Sequence, residues 1–275
     1  MRIRIDLAYD GTHFSGWATQ PNLRTVQASL EATISQVLRL THNPATVCAG
    51  RTDAGVHARV QVVHVDLLDE VIQPGGSTLP TDEALRRWLP RALPDDIVIQ
   101  SVHPAPDSFD ARFSALKRRY VYRLWDSPVL DPLTRGFSVA FHHSLDVEAM
   151  VHASELLLGL HDFVAFCRPK QGGTSVRTLL ELTPTRIPSQ MIEITVVADA
   201  FCHSMVRSLV GGLVAIGRGL RDESWLLDHL NSDKRANDIV VMPAHGLTLE
   251  EVTYPPEEQL ESRAQQARCR RDEQT

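Results

Sequence analysis

Residues 1–17 read MRIRIDLAYDGTHFSGW. Ile3, Ile5, Leu7 and Tyr9 alternate with Arg2, Arg4 and Asp6, the period of a strand with one buried face. Two glycines, Gly11 and Gly16, then break the alternation. A helix follows over about residues 25–40. Thr25 is placed to cap it, and Val26, Leu30, Ile34, Val37 and Leu38 fall at helical spacing. VQVVHVDL (60–67) reads as a strand, QPGGSTLP (73–80) as a turn-rich connector, 82–89 as a short helix, and LPDDIVIQSV (93–102) holds another strand.

The second half repeats this order loosely. A helix is expected at about 146–158. MIEITVVADA (191–200) is a strand with Ile192, Ile194 and Val196 on one face. FCHSMVRSLVGGLVAIG (201–217) is a helix with an apolar stripe, and MPAHGLTLEEVTYP (242–255) is a loop and a strand. Strands and helices without strict β-α-β alternation predict an α+β fold, with helices on one face of a largely antiparallel sheet. The similar order of the halves is a weak internal repeat of pattern. Residues 257–275 are polar, lack a core pattern, and read as a disordered tail.

At 275 residues, 43% hydrophobic and 23% charged, the chain can bury a substantial core as one large domain or two intimate ones. No apolar run approaches the roughly 20 residues that cross a membrane, and the N-terminus reads as a strand, not as a signal peptide. Cys48, Cys167, Cys202 and Cys269 are widely spaced with no C-x-x-C pair. That argues against a zinc site or a disulfide framework and suits a reducing cytoplasm. Net charge is −6, so global charge does not announce a nucleic-acid binder. Local charge does more: ARFSALKRRYVYR (111–123) carries Arg112, Lys117, Arg118, Arg119 and Arg123 and no acid.

The chemistry centres on GRTDAGVHAR, residues 50–59. Asp53 is either a turn or cap aspartate satisfied by backbone N–H groups, or a nucleophile or base. In the second case Arg51 is positioned to favour its ionised form, if the loop folds back. In KRRYVYRLW (117–125), Tyr120 and Tyr122 share one strand face. They read as core tyrosines, or as a ring for stacking on a base between arginines that hold phosphates. Arg207, ahead of a Gly-Gly pair, is a solvated helix cation or a group that meets a carboxylate or phosphate. RPKQGGTSVR (168–177), with Arg168 and Lys170, is a flexible linker or a polyanion clamp. A phosphate-handling nucleotide enzyme is disfavoured, because no G-x-x-x-x-G-K-[ST] or G-x-G-x-x-G run follows a strand.

These stretches together resemble the A-type tRNA pseudouridine synthases. The resemblance is carried by YDGTHFSGW with QPNLRTVQ, AGRTDAGVHA, FDARFSALKRRYVY, HDF, TSVRTL, FCHSMVRSLVGGL and PAHGLTLEEVTY, in that order from Tyr9 to Tyr254. Two positions depart from the family's usual pattern: Val60–Gln61 stands for Gly-Gln, and Arg91 for asparagine. The resemblance implies isomerisation of uridine to pseudouridine at positions 38, 39 and 40 in the anticodon arm of tRNA, with no metal or cofactor. It implies a homodimer and two pseudo-symmetric halves whose sheet lines a central RNA-binding cleft. The halves would be residues 1–110, carrying the catalytic loop, and 111–256, carrying the helix arginine. Asp53 falls on the catalytic nucleophile, and Arg51, Tyr120 (not Tyr122) and Arg207 on substrate-binding positions. Arg112, Lys117, Arg118, Arg119, Arg168 and Lys170 are the expected RNA contacts. A non-catalytic tRNA-binding protein or chaperone is the alternative.

Overall fold

A computed structural model describes residues 1–72, 78–127, 130–168 and 173–268. The chain is α+β with a mostly antiparallel sheet, as the patterning predicts, and divides into two compact units. Residues Met1–Leu116 and Glu250–Arg268 form the first, and Lys117–Leu249 the described part of the second.

The first unit contains β1 (Arg2–Tyr9), α1 (Val26–Leu38), β2 (Thr46–Cys48), β3 (His57–Asp66), β4 (Glu70–Ile72), β5 (Thr78–Pro80), α2 (Thr81–Ala92) and β6 (Ile97–Ala105). β1 pairs antiparallel with β3 and β6, and β2 adds to β3. The alternation in β1 survives intact: Ile3, Ile5 and Leu7 are fully buried and the residues between them are not. Each such burial contributes about 1.5–3 kcal/mol. The β1–β3 register runs from Arg2↔Asp66 to Leu7↔Gln61 and then shifts, so that Tyr9 faces Ala58. That bulge lies just after the 50–56 loop, where an extra residue can re-aim side chains. In α1, Thr25 Oγ1 accepts the Ala28 N–H at 3.3 Å, the expected cap.

The second unit contains β7 (Lys117–Trp125), β8 (Val139–Ala140), α3 (Val147–Glu155), β9 (Gly159–Asp162), β10 (Val176–Arg186), β11 (Ile192–Ala198), α4 (Met205–Gly217) and α5 (Glu223–Leu230). Its strand order is β7-β11-β10-β9, antiparallel throughout, with β8 parallel to β7. Ile192, Ile194 and Val196 are fully buried, as the pattern of β11 requires. β10 has no counterpart in the sequence reading, because Pro184 interrupts its run. The proline is tolerated because β9 pairs with Val176–Leu179, which among the described residues leaves one side of β10 unpaired at Pro184.

Two expectations change. Cys167 and Cys202 form a disulfide, with Cα atoms 5.8 Å apart. The two residues are 35 positions apart in sequence, so no spacing motif betrays them. The Arg168 N–H bonds the His203 carbonyl at 3.0 Å and holds the two stretches side by side. The polar tail is also not disordered as far as Arg268. After β12 (Leu247–Thr253), residues Leu260–Arg268 form α6. Leu260 and Ala264, four residues apart, are buried. Arg263 Nε donates to the Ala115 carbonyl at 3.3 Å and Arg268 pairs with Asp110 at 2.9 Å. Two small apolar contacts plus these bonds suffice where a composition argument sees only charge. Residues 269–275 lie outside the described set.

Candidate active site

The arc from Gly50 to Val56 is pinned through backbone groups of Gly50, Thr52, Asp53, Gly55 and Val56. The Gly50 carbonyl accepts from Gln61 Nε2 at 2.7 Å, and the Thr52 carbonyl from the Trp17 N–H at 3.0 Å. The Asp53 carbonyl accepts from the Val56 N–H at 3.2 Å, and the Gly55 N–H reaches the Phe14 carbonyl at 3.3 Å. Gly55, at φ 78°, supplies the left-handed residue that this turn from Asp53 to Val56 requires. Thr52 Oγ1 shares a 2.7 Å hydrogen bond with the Tyr9 hydroxyl, which Gln61 Nε2 also contacts at 3.4 Å. Burial holds the Tyr9 phenol far above its ordinary range, so it stays protonated.

The opening segment is shaped to receive this arc. A Cβ on Gly11 would run into the Val56 carbonyl. On Gly16, at φ 89°, a Cβ would lie 2.9 Å from the Thr52 carbonyl oxygen. The Gly11 N–H donates to His57 Nδ1 at 3.1 Å, and the Asp10 carboxylate lies 3.0 Å from the same nitrogen. The two glycines that break the first strand pattern are therefore the mould for the 50–56 loop. Asp53 stands on this braced turn half-buried, while Arg51 is exposed. Arg51 forms no ion pair among the described residues, so it is not brought to Asp53 as expected. The arrangement presents a carboxylate on a rigid support, which suits a nucleophile or a base.

In the second unit, Tyr120 and Tyr122 part company. Tyr122 is fully buried and its hydroxyl donates to the Pro243 carbonyl at 2.8 Å. Burial pushes that phenol well up, and Gly246 leaves the room its ring needs. Tyr120 is buried to 6% exposure, and its ring meets Phe201 edge to face at 5.1 Å. Arg207, in the first turn of α4, is half-buried. Its Nε donates to the Met242 carbonyl at 2.7 Å, and the Met242 N–H returns to the Arg207 carbonyl at 3.2 Å. The guanidinium is thereby held in one direction.

The expected RNA contacts are not alike. Arg112, Lys117 and Arg168 are exposed and Arg119 is half-buried. Arg118 is buried at 7% exposure, with Nη1 on the Asp199 carbonyl at 2.6 Å, so its charge serves the fold. Lys170 lies outside the described residues.

A family model described as tRNA pseudouridine synthase matches residues 7–114 and 153–255, more than half of the chain. The chain belongs to the tRNA pseudouridine synthase family. It is 54% identical over 273 residues to the tRNA pseudouridine synthase A of Cutibacterium acnes, covering 98% of this chain and 95% of that one. Against the tRNA pseudouridine synthase A of Frankia casuarinae the identity is 49% over 270 residues, with 98% and 95% covered. Among solved structures, the archaeal box H/ACA sRNP Nop10–Cbf5 complex aligns with 78% of this chain and 43% of that chain. Its TM-score of 0.35 and 12% identity are too remote to carry an argument. The family and these relatives make the chain an enzyme, an isomerase.

Sequence reasoning names Asp53 and Arg207 as candidates but not the residues that hold them. Tyr9 and Gln61 read as strand positions, and Met242 as loop. The one available signal for the brace is the pair of glycines at 11 and 16, and they do not say which backbone they approach.

Proposed function

We propose that this chain isomerises uridine to pseudouridine at positions 38, 39 and 40 of the anticodon arm of tRNA, with Asp53 as nucleophile and no cofactor or metal. The reaction breaks the C1′–N1 bond, turns the uracil and closes C1′–C5. The C5 proton is lost and N1 gains one, so substrate and product are isomers. Asp53 assists departure of the uracil either by attacking C1′ or by removing the C2′ proton. Tyr120 stacks on the base, and its hydroxyl is the group to receive the C5 proton. Arg51 and Arg207 hold substrate, and Arg112, Lys117, Arg119 and Arg168 meet phosphates. Holding the detached uracil away from water keeps the two fragments one reacting system and suppresses hydrolysis.

What supports this reading most is the half-buried Asp53 carboxylate on an arc whose backbone is bonded at Gly50, Thr52, Asp53 and Gly55. A turn aspartate that served only its own loop would not need that bracing. No helix among the described residues is long and apolar enough to cross a membrane. A homodimer and a cytoplasmic location complete the proposal; the location rests on tRNA as substrate and not on the cysteines, two of which are bonded to each other.

Incubation of the purified protein with tRNA in chelator, without nucleotide, followed by pseudouridine mapping, tests it. Modification at 38–40 is expected, lost below detection in Asp53→Ala while tRNA binding persists. Turnover surviving in Asp53→Ala would refute the nucleophile. Binding without modification by the unaltered chain would favour the tRNA-chaperone reading.

A further inference from the structure

Gln61 is the anomaly of β3. It is fully buried between Val60 and Val62 in a strand built from valines, and a buried amide without partners is costly. Both of its amide protons and its amide oxygen are engaged. One amide proton goes to the Gly50 carbonyl at 2.7 Å and the other to the Tyr9 hydroxyl at 3.4 Å, while Oε1 accepts the Val62 N–H at 3.3 Å. The Tyr9 hydroxyl that accepts from Gln61 also shares a 2.7 Å hydrogen bond with Thr52 Oγ1, in which either oxygen can donate. The chain of bonds therefore ends on both sides of Arg51, at the Gly50 carbonyl and the Thr52 side chain. Thr52 is the residue that carries Asp53. The β-bulge between the Leu7↔Gln61 and Tyr9↔Ala58 pairs brings this amide under the loop.

We propose that Gln61, acting with the Tyr9 hydroxyl, is a positioning residue for the reaction: its amide clamps Gly50 and, through Tyr9, Thr52, and so fixes where the Asp53 carboxylate stands. The proposal rests on the reading of Asp53 as nucleophile. Neither Gln61 nor Tyr9 touches substrate. Their effect reaches the reaction through the loop, where a misplacement of about 1 Å costs on the order of 100-fold in rate.

Gln61→Met is the decisive variant, because methionine matches glutamine in length, suits the apolar surroundings and donates nothing. The full-length protein with unmodified tRNA is expected to show kcat lowered by about 10- to 100-fold, with KM within about threefold. Amide hydrogen exchange across residues 50–56 should quicken by about tenfold or more while Tm stays near that of the unaltered chain. A merely structural role would lower Tm and leave kcat per folded molecule and the loop's exchange alone. Tyr9→Phe removes a single hydroxyl and keeps the ring, so it carries the test if Gln61→Met does not fold. Its expected loss is smaller, about three- to tenfold. Because both variants cut one chain of bonds, their combination should lose less than the product of the single losses. If Gln61→Met and Tyr9→Phe keep kcat within twofold and leave loop exchange unchanged while Asp53→Ala is inactive, the clamp falls and the nucleophile stands. If Asp53→Ala turns over, both fall together.

Discussion

Tyr120 and Tyr122 sit two positions apart on one strand and show how little a residue type says about its role. Both are buried, yet the Tyr122 hydroxyl is consumed by the Pro243 carbonyl at 2.8 Å, with its ring packed where Gly246 has no side chain. Tyr122→Phe should therefore act on stability alone. It removes one part-buried hydrogen bond, at about 0.5–1.5 kcal/mol, and calorimetry should show a lower Tm with kcat per folded molecule preserved. Tyr120→Ala should do the reverse, with kcat on tRNA falling by about 100-fold or more and Tm changing less than the loss of a core ring normally implies. Equal kinetic losses at the two positions would remove the distinction. Alternation placed both tyrosines on one face of β7 but left the choice between them to the family resemblance. Arg118 and Arg119 make the same point with charge. Adjacent and identical in sequence, they diverge because the Asp199 carbonyl claims the first.

Among the elements, α4 ties sequence to chemistry most directly. Its Gly211 lets the Val240 carbonyl approach so closely that any Cβ would collide with it. This contact lays the segment ending at Met242 along the helix, where its carbonyl takes the Arg207 Nε. Gly212, next door, faces the flexible end of Leu226, at 3.0 Å from a built Cβ, and the Phe166 ring at 4.0 Å. Gly211→Ala must move backbone, so it is expected to cost about 1–3 kcal/mol and to turn Arg207 out of place. Gly212→Ala should be nearly neutral in both respects. Thermal melts and kcat/KM for the two variants check this, and an inverted order would overturn the role given to Gly211. The sequence foretells that a Gly-Gly pair admits a close neighbour, but not which one, because that partner lies some 30 residues on in a loop with no periodicity. Elsewhere the elements are legible where the core is one-sided: β1, α1 and β11 each carry a clean apolar period. They are illegible where few contacts decide. The nine residues of α6 hang on Leu260 and Ala264 amid charge, β10 is masked by its own proline, and the Cys167–Cys202 bond depends on two turns meeting.

For the molecule as a whole, the question is how a chain of net charge −6 binds a polyanion. Its total charge repels RNA at long range, and beyond a Debye length of about 8 Å in physiological salt that repulsion is largely screened. Binding must then come from cations brought within contact of phosphates, each releasing counterions. Arg112, Lys117 and Arg168 are exposed and able to do so, whereas Arg118 is spent inside the fold. The affinity for tRNA should thus fall steeply with salt despite the acidic total, by about 0.7–0.9 logarithmic units per logarithmic unit of salt for each phosphate neutralised. Arg112→Gln and Lys117→Gln should each flatten that slope by about one phosphate's worth and weaken all tRNAs alike. Arg118→Gln should instead leave the slope intact and lower Tm, since it strips the Asp199 carbonyl of its donor. Filter binding across a salt series, beside melts of the three variants, separates these outcomes. A slope unaffected by Arg112→Gln and Lys117→Gln but flattened by Arg118→Gln would mean that the buried arginine is released to the RNA on binding, and the division drawn here between fold and substrate would be wrong.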